Sequence, residues 1–303
     1  MGERPLQLRD VLDAALSPDN AVRALAEDQL KQGSYQRGFA VALVNQLAFA
    51  GKVRVERDDR DTAVRTMAGV VLQHYIRDMW TSVGDHALPP EDKANVRVTT
   101  LGAMLDEKSP KSVRTAAAMA AALAASSDWP EQWPGLMPAV TGGVAGSFAP
   151  PPPAPRRGSG LGAGGDPMAA AAETAYICLH CMLFMAEKVP MDTAPLLFSQ
   201  TYPSLVQAAG AAYLPGRARR KAMCVIHSLF MSIGTLAALG GEESMLQLLQ
   251  AAVPQWLDVV GRILSGGCRG GDMGVEVEAL KTAVVALTYF PETVADASGA
   301  TAL

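Results

Sequence analysis

The sequence predicts an all-α protein, an α-solenoid in which antiparallel helix pairs stack into a right-handed superhelical array. Hydrophobic residues make up 49% of the 303 residues, so a large core can be buried, whereas aromatic residues make up only 6%. Ala and Leu supply most of the apolar content, which suits close-packed helices better than strands. Apolar residues also recur with helical spacing along most of the chain, and no segment alternates as a strand would.

Three helix pairs are predicted in the first 125 residues. The clearest apolar stripe, at Val22, Leu25, Ala26 and Leu30, is typical of an amphipathic helix, and Gly33 is expected to break it. Proline and glycine residues mark the turns between the other helices. The predicted pairs are residues 8–16 with 20–31, residues 35–50 with 61–80, and residues 91–106 with 111–125.

A fourth pair is predicted to open in the segment 127–134. Asp128 has the features of an N-cap, with Glu131 three residues later. The following tract, residues 141–167, is rich in Gly, Pro, Ala and Ser and contains four consecutive prolines. Such a composition cannot bury enough apolar surface to offset its ordering entropy. We therefore expect a disordered, dispensable insertion, with a linker between two domains as the alternative.

Helices are predicted to resume after this tract. They cover residues 168–188, 193–212, 217–239, 242–264 and 275–290. Helix pairs recur about every 40 to 50 residues, which is the period of HEAT-type arrays. The predicted organisation is one HEAT-repeat solenoid formed by residues 1–140 and 168–291, interrupted by the insertion at 141–167 and followed by a tail at 292–303.

Charge and composition narrow the classes of function. The net charge of −4 and the sequence pI of about 5.6 argue against direct nucleic-acid binding, which needs a basic surface. A mildly acidic protein suits basic protein partners. No uninterrupted apolar run of about 18 residues predicts a membrane span, and the polar N-terminal residues do not predict a secretory signal. A soluble protein in a reducing compartment is the expectation.

The sequence predicts no enzyme, no cofactor and no metal. No His lies near a Gly-rich nucleophile elbow, and no phosphate-binding loop is present. Cys178 with Cys181, and Cys224 with His227, have i, i+3 spacing on two predicted helices and could together suit zinc. Burial in a helical core is the favoured alternative, because Cys is among the most often buried residue types.

Two further features have a structural and a functional interpretation. A basic run from Arg217 to Lys221 opens a predicted helix, where positive charge opposes the helix dipole. It could face an acidic partner, but a solvated helix face is the simpler interpretation. Trp129 and Trp133 are expected to fill the joint between two repeats, although a ligand-binding role is the alternative.

Three motifs in the N-terminal third stand out by their order and spacing: Arg23-x-x-Ala26-Glu27-x-x-Leu30; Arg65-x-x-Ala68-x-x-x-Leu72-x-x-x-Ile76-x-x-x-Trp80; and Val113-Arg114 followed by Asp128-Trp129-Pro130-Glu131-Gln132-Trp133-Pro134. In these motifs the N-terminal third resembles the importin-β (karyopherin-β) N-terminal domain. Farther along, residues 215–222 and 277–281 look most like the importin-nine branch, whereas the tract 141–167 departs from the family.

This resemblance implies a nuclear transport receptor that binds protein cargo and GTP-bound Ran and carries cargo through nuclear pores. Implied partners are Ran in its GTP form, basic cargo such as histones or ribosomal proteins, and the FG repeats of nucleoporins. The implied location is the cytoplasm and nucleus, with shuttling between them. Family members are much longer, so a truncated chain or a partial gene sequence is expected. The alternative is a generic HEAT-repeat scaffold or regulatory subunit without Ran binding.

The resemblance also implies that Ran contacts the second helices of the early pairs. Their apolar stripes are predicted to point inward and to leave polar residues facing out, where they either bind a partner or only keep the array soluble. The inward set is Val22, Leu25, Ala26 and Leu30 on one helix, and Val64, Ala68, Val71, Leu72, Tyr75 and Ile76 on the next. The candidate Ran-binding residues are Arg23, Glu27, Arg65, Gln73, Arg77 and Arg114.

Overall fold

A computed structural model describes residues 7–48, 59–84, 87–148, 166–240, 243–266, 272–291 and 294–295. Every regular element in these ranges is a helix, and no strand occurs in them, so the all-α prediction is confirmed. The chain forms two compact units, residues 1–133 and 134–303.

The first unit contains three helix pairs. The first helix of the second pair packs on the first helix of the third, and the second helices of these pairs pack on each other, so that they form two layers. The observed boundaries agree with the predicted ones to within about one helical turn. The pairs are α1 (Leu8–Ala14) with α2 (Asn20–Gly33), α3 (Phe39–Ala48) with α4 (Asp59–Met79), and α5 (Pro90–Leu105) with α6 (Lys111–Asp128).

Local chemistry explains the ends of α2. The carboxylate of Asp19 accepts a hydrogen bond from the Ala21 amide at 2.8 Å and so caps the helix start. Gly33 is the last residue of the helix, which therefore ends where the break is predicted. A Cβ at this position would lie 2.9 Å from Cε2 of Phe39, so a glycine lets the ring of α3 approach the end of α2.

Small residues hold α4 and α6 close together. Ala68 and Leu72 of α4 are fully buried, and most residues of α6 between Ala116 and Ala125 are buried alanines. A Cβ at Gly69 would lie 2.7 Å from the Cβ of Ala116, so the two helices approach closely only because this residue is a glycine. On α4 the inward prediction is confirmed for Val64, Ala68, Leu72, Tyr75 and Ile76, whereas Val71 is only half-buried.

The inward prediction is partly wrong for α2. Ala26 is buried and Leu30 partly so, but Val22 and Leu25 are 43% and 62% exposed. The physical reason is that α2 has α1 as its chief neighbour, whereas α4 is packed by both α3 and α6. A stripe that is apolar in sequence therefore stays open to solvent along part of α2.

Asp128 ends α6 and does not cap a following helix, so its predicted role was wrong. Its carboxylate is 2% exposed and accepts hydrogen bonds from Trp80 Nε1 at 3.0 Å and Arg97 Nη1 at 2.7 Å. These bonds join the end of α4, the middle of α5 and the end of α6. Trp129 and Trp133 follow and are also buried, at 3% and 7% exposure, as packing residues are.

The second unit also consists of helix pairs, and its second helices α8, α10 and α12 pack in succession. The helices are α7 (Leu136–Ala145) with α8 (Pro167–Lys188), α9 (Ala194–Gly210) with α10 (Gly216–Ala238), and α11 (Glu243–Leu264) with α12 (Met273–Tyr289).

The predicted insertion begins too early, because α7 continues through residue 145 and a 3-10 turn covers Gly146–Phe148. Val140 and Val144 are fully buried, which keeps this part of the tract in the helix. Residues 149–165, where disorder is predicted, lie outside the described residues. So does most of the predicted tail.

Helices α8 and α10 are long and apolar enough to cross a membrane by length and composition alone. About half of each apolar stretch, 50% in α8 and 44% in α10, is buried inside the protein. Helix α8 packs between α7 and α10, in the interior of the second unit. Their apolar composition is therefore that of core helices in a helical array.

We predict that Asp128→Ala lowers the free energy of unfolding by about 3–5 kcal/mol, because it leaves a largely buried guanidinium and a buried indole N–H without their partner. Urea unfolding followed by circular dichroism measures the loss. The matched control is Asp78→Ala, whose 62% exposed carboxylate pairs with Arg77 at the surface. It should change the value by less than about 0.5 kcal/mol. Equal losses in the two variants would contradict the assigned role.

Candidate protein-binding surface on the second helices

The six predicted Ran-binding residues do not share one surface. Arg65 and Arg114 are only 4% and 2% exposed, so the prediction that they face outward is wrong. Arg65 donates from Nε to the Leu47 carbonyl at 3.0 Å and from Nη2 to Ser109 Oγ at 2.8 Å. Arg114 donates from Nε to the Met104 carbonyl at 2.9 Å.

Each of these arginines lies near the start of a second helix and reaches the last turn of the first helix in the same pair. The final carbonyls of a helix have no partner within it and carry the negative end of its dipole. A guanidinium supplies both a donor and a positive charge there. Arg219 repeats the contact in the second unit, where it is 6% exposed and donates from Nε to the Ala209 carbonyl at 3.1 Å. Arg65, Arg114 and Arg219 are called the clamp arginines below.

Burial has an electrostatic consequence at the first clamp. Desolvation lowers the pKa of the Arg65 guanidinium, and the nearby carboxylates of Asp61 and Asp106 act in the opposite direction. Ser109, which accepts from Arg65, donates in turn to Asp106 Oδ2 at 2.8 Å. The clamp thus connects α4 to the turn between α5 and α6 as well as to α3.

Gln73 is also engaged within the protein. Its Nε2 donates to the Ala116 carbonyl at 3.1 Å and so bridges α4 to α6.

The remaining candidates are Arg23, Glu27 and Arg77. Arg23 is half-exposed and donates to the Ser17 carbonyl at 3.3 Å, with Glu27 Oε1 3.9 Å from its Nε. These three side chains are the ones in the predicted set that a partner can reach.

Arg77 belongs to a small polar group near the end of α4. Its Nε lies 3.1 Å from Asp78 Oδ1, and its Nη2 lies 2.6 Å from His74 Nδ1. All three side chains are exposed. Surface ion pairs of this kind contribute little to stability, so their charges are available to a partner at small cost.

The structure contains a groove between α2 and α4 that the sequence did not predict. It has a volume of about 340 Å³, an apolar floor and a polar rim. The rings of Phe39 and Tyr75 lie in the floor with their centroids 5.7 Å apart. Burial raises the pKa of Tyr75, and Asp92 adds to the effect, so its phenol stays neutral at physiological pH. The floor is Leu30, Phe39, Val71, Tyr75 and Met79, and the rim is Glu27, Lys31, Ser34, Tyr35, His74 and Asp78.

The groove exists because α2 does not cover α4 as α6 does. Helical spacing gives the face on which each residue lies, but it does not give the distance between two helices. Tyr35 opens the predicted helix 35–50, but in the structure it lies in the turn before α3 and is 58% exposed. A large exposed aromatic at the edge of an apolar groove is typical of a binding surface.

The four residues whose spacing could suit zinc are not brought together as a metal site. Cys178 and Cys181 are buried in α8, and burial raises the pKa of the Cys181 thiol well above its usual range. The Cys224 thiol instead faces α12, where its Sγ lies 3.7 Å from Glu278 Oε2. Burial, followed by the Glu278 charge, raises the Cys224 pKa as well. Within the described ranges no three His, Cys, Asp or Glu side chains could hold a metal ion.

The basic run at the start of α10 is divided among internal partners. Arg219 is a clamp arginine, and Arg217 pairs with Glu173 and lies 5.3 Å from the centre of the Tyr176 ring. Lys221 lies 5.9 Å from the same ring. The run therefore binds α10 to α8 more than it presents a uniform positive patch.

We predict that Arg114→Ala lowers the free energy of unfolding by about 2–3 kcal/mol, the range for a hydrogen bond from a charged donor. Arg114→Lys should recover little of it, because an ammonium group cannot reproduce the Nε donor in the same geometry. The control Arg77→Ala removes an arginine whose side chain is 59% exposed, and it should have an effect below about 0.5 kcal/mol in the same urea titration. Full recovery by lysine would contradict the clamp geometry.

Comparison with known proteins supports the predicted family. Residues 26–106, which cover most of α2 and all of α3, α4 and α5, match the importin-β N-terminal domain. Importin-11 of Mus musculus and of Homo sapiens is 37% identical over 87 residues, which is 29% of this chain and 8% of either relative. The match thus spans a small part of these relatives. They are importin-11 proteins, so the predicted importin-nine branch is not supported.

Two solved structures of yeast importin-β, Kap95p, share the fold. Kap95p with RanGDP superposes with a TM-score of 0.62 at 17% identity, and the Kap95–Nup1 complex with 0.63 at 17%. Each superposition covers 93% of this chain and 29% of the Kap95p chain. At this identity they establish the fold alone, which confirms the predicted HEAT-repeat architecture. The family match itself covers residues 26–106, which resemble the importin-β N-terminal domain.

Proposed function

We propose that this chain acts as part of a nuclear transport receptor and that its first unit binds Ran through α2 and α4. The observation that carries the proposal is the groove between these helices, with its apolar floor and charged rim, inside the segment that matches the importin-β N-terminal domain. Kap95p, which shares the fold, binds RanGDP and induces its switch loops to adopt the GTP-bound conformation. A receptor of this kind binds and releases proteins and needs no catalytic group.

The contact residues differ from those implied by the motifs. The clamp arginines and Gln73 already donate within the protein, so we assign them no contact with Ran. Arg23, Glu27 and Arg77 remain. Glu27 and Tyr35 lie on the rim of the groove, whereas Arg23 and Arg77 lie outside its lining. An apolar centre enclosed by polar groups is the usual anatomy of a protein interface, and aromatic residues and arginines supply much of the binding energy there.

We predict that the 303-residue chain retains Ran in its GTP form more strongly than Ran in its GDP form, in a pull-down with immobilised chain. The double variant Glu27→Lys with Arg77→Glu reverses one exposed charge on the groove rim and one beside it, next to the rim residues His74 and Asp78. It should weaken the GTP complex by about tenfold or more, in line with coupling of interface charge pairs. It should leave the circular dichroism spectrum unchanged.

The matched control for that assay is Arg262→Glu. Its side chain is 62% exposed on α11 of the second unit, and it pairs with Asp258 one turn away. It should bind Ran as the parent does. Indistinguishable binding to the two nucleotide forms would rule out the proposed mechanism and favour the scaffold without Ran binding.

We also propose FG-repeat nucleoporins as partners, because Kap95p has been solved in complex with Nup1. Passage through nuclear pores would place the protein in both cytoplasm and nucleus, shuttling between them. The proposal includes no direct nucleic-acid contact and no membrane insertion, since the net charge is negative and both long apolar helices pack in the helical core.

For cargo we propose basic proteins, such as histones or ribosomal proteins, because the chain carries a net charge of −4. Complementary charge accelerates encounter and is screened by salt. A core histone pair should therefore co-elute with the chain in gel filtration at low salt and dissociate at high salt. Equal co-elution in both buffers, or none at low salt, would count against basic cargo.

A further inference from the structure

The first unit contains a second cavity, which lies between α1, the end of α2 and the start of α3. It has a volume of about 400 Å³ and is distinct from the groove between α2 and α4. An apolar floor with a few polar groups around it is the usual form of a ligand site. In this cavity, called the amide cavity, Val11 and Phe39 are buried in the floor, and the polar rim is Gln29, Gln32, Gln36 and Arg37.

Two glycines shape the amide cavity. Cε2 of Phe39 lies 2.9 Å from the position that a Cβ would take at Gly33, so the ring enters the floor only because this residue is a glycine. Gly38 has a φ of 78°, in the left-handed region that favours glycine, and it turns the chain into α3. Since α1 also contacts α3 and α4, the cavity lies between two stacked helix pairs and not on an open face of the array.

The charge of the amide cavity is positive. Arg37 is exposed and is the one charged side chain among the lining residues that the structure describes. On α1, Arg9 pairs with Asp61 of α4. Asp13 pairs with Arg60 of α4, so neither of these α1 charges serves the cavity. A guanidinium binds a carboxylate through two parallel N–H donors, and a carboxylate is therefore the complementary ligand group.

Three glutamines indicate that this carboxylate belongs to a peptide. Gln29 and Gln32 lie about one turn apart on α2, and Gln36 follows in the turn before α3. A side-chain amide has a donor and an acceptor, as a peptide group does, so a row of amides can bond the main chain of an extended segment. Within the part of the chain that the structure describes, these three side chains and Arg37 make no hydrogen bond or ion pair, so they are free to bind a ligand.

We propose that the amide cavity binds an extended acidic peptide segment of another protein. A large apolar side chain of the segment fills the floor, its main chain bonds the three glutamines, and a neighbouring Asp or Glu pairs with Arg37. The segment is opposite in charge to the proposed basic cargo, so the two are different partners. The proposal does not rest on Ran binding, because Arg37 lies outside the lining of the groove between α2 and α4.

A random twelve-residue peptide library displayed on phage tests the proposal. The immobilised 303-residue chain selects from the library, and the variant Arg37→Glu serves for counter-selection. We expect the parent to enrich sequences in which Asp or Glu lies beside a large apolar residue. Enrichment of the same sequences by Arg37→Glu, or of sequences that lack an acidic residue, would overturn the proposal.

Calorimetric titration with the most enriched peptide tests the role of the guanidinium. Arg37→Glu should weaken binding by about tenfold or more, and Arg37→Lys should weaken it less, because lysine keeps the charge and loses the paired donors. The matched control Arg77→Glu makes the same charge change on α4, at a 59% exposed side chain outside the cavity lining, and should bind the peptide as the parent does. Equal losses in Arg37→Glu and Arg77→Glu, with unchanged circular dichroism, would refute the assignment.

Discussion

A buried guanidinium that bonds the last carbonyls of the preceding helix is the contact on which the pairing of helices depends. Arg65, Arg114 and Arg219 each make it, at three points in the two units. The contact solves two problems together, because the carbonyls at a helix end need donors and a buried arginine needs acceptors. It also fixes where the second helix of each pair begins relative to the end of the first.

The same internal hydrogen bonds determine which polar side chains of the first unit remain accessible to a partner. The clamp arginines and Gln73 are engaged inside the protein. The surface proposed to bind Ran is therefore the open groove beside α2, with the polar group around Arg77. Asp128 plays a comparable part at the far end of the unit, where its carboxylate joins α4, α5 and α6. Residues that look like recognition motifs in sequence thus act as supports, and the residues proposed to bind a partner lie between them.

The all-α class, the helix order and most of the buried positions of α4 could be predicted from the sequence, because amphipathic spacing reports directly on burial. The buried role of Arg65 could not be predicted from the sequence. A charged residue beside an apolar stripe is expected to face solvent unless its hydrogen-bond acceptor is known. The N-cap prediction for Asp128 was wrong for a similar reason. An acidic residue before Trp-Pro resembles the start of a helix, and its buried donors are not visible in the sequence. The exposure of Leu25 depends on a neighbour that spacing does not specify.

Hydrogen–deuterium exchange of the chain with Arg114→Met tests the clamp most directly, because methionine keeps much of the apolar stem and removes every donor. The account predicts faster exchange confined to the last turn of α5 and the first turn of α6, with α3 and α4 less affected, since local opening follows the loss of local contacts. Unchanged exchange at the α5–α6 turn would contradict the claim that a buried arginine holds this pair together.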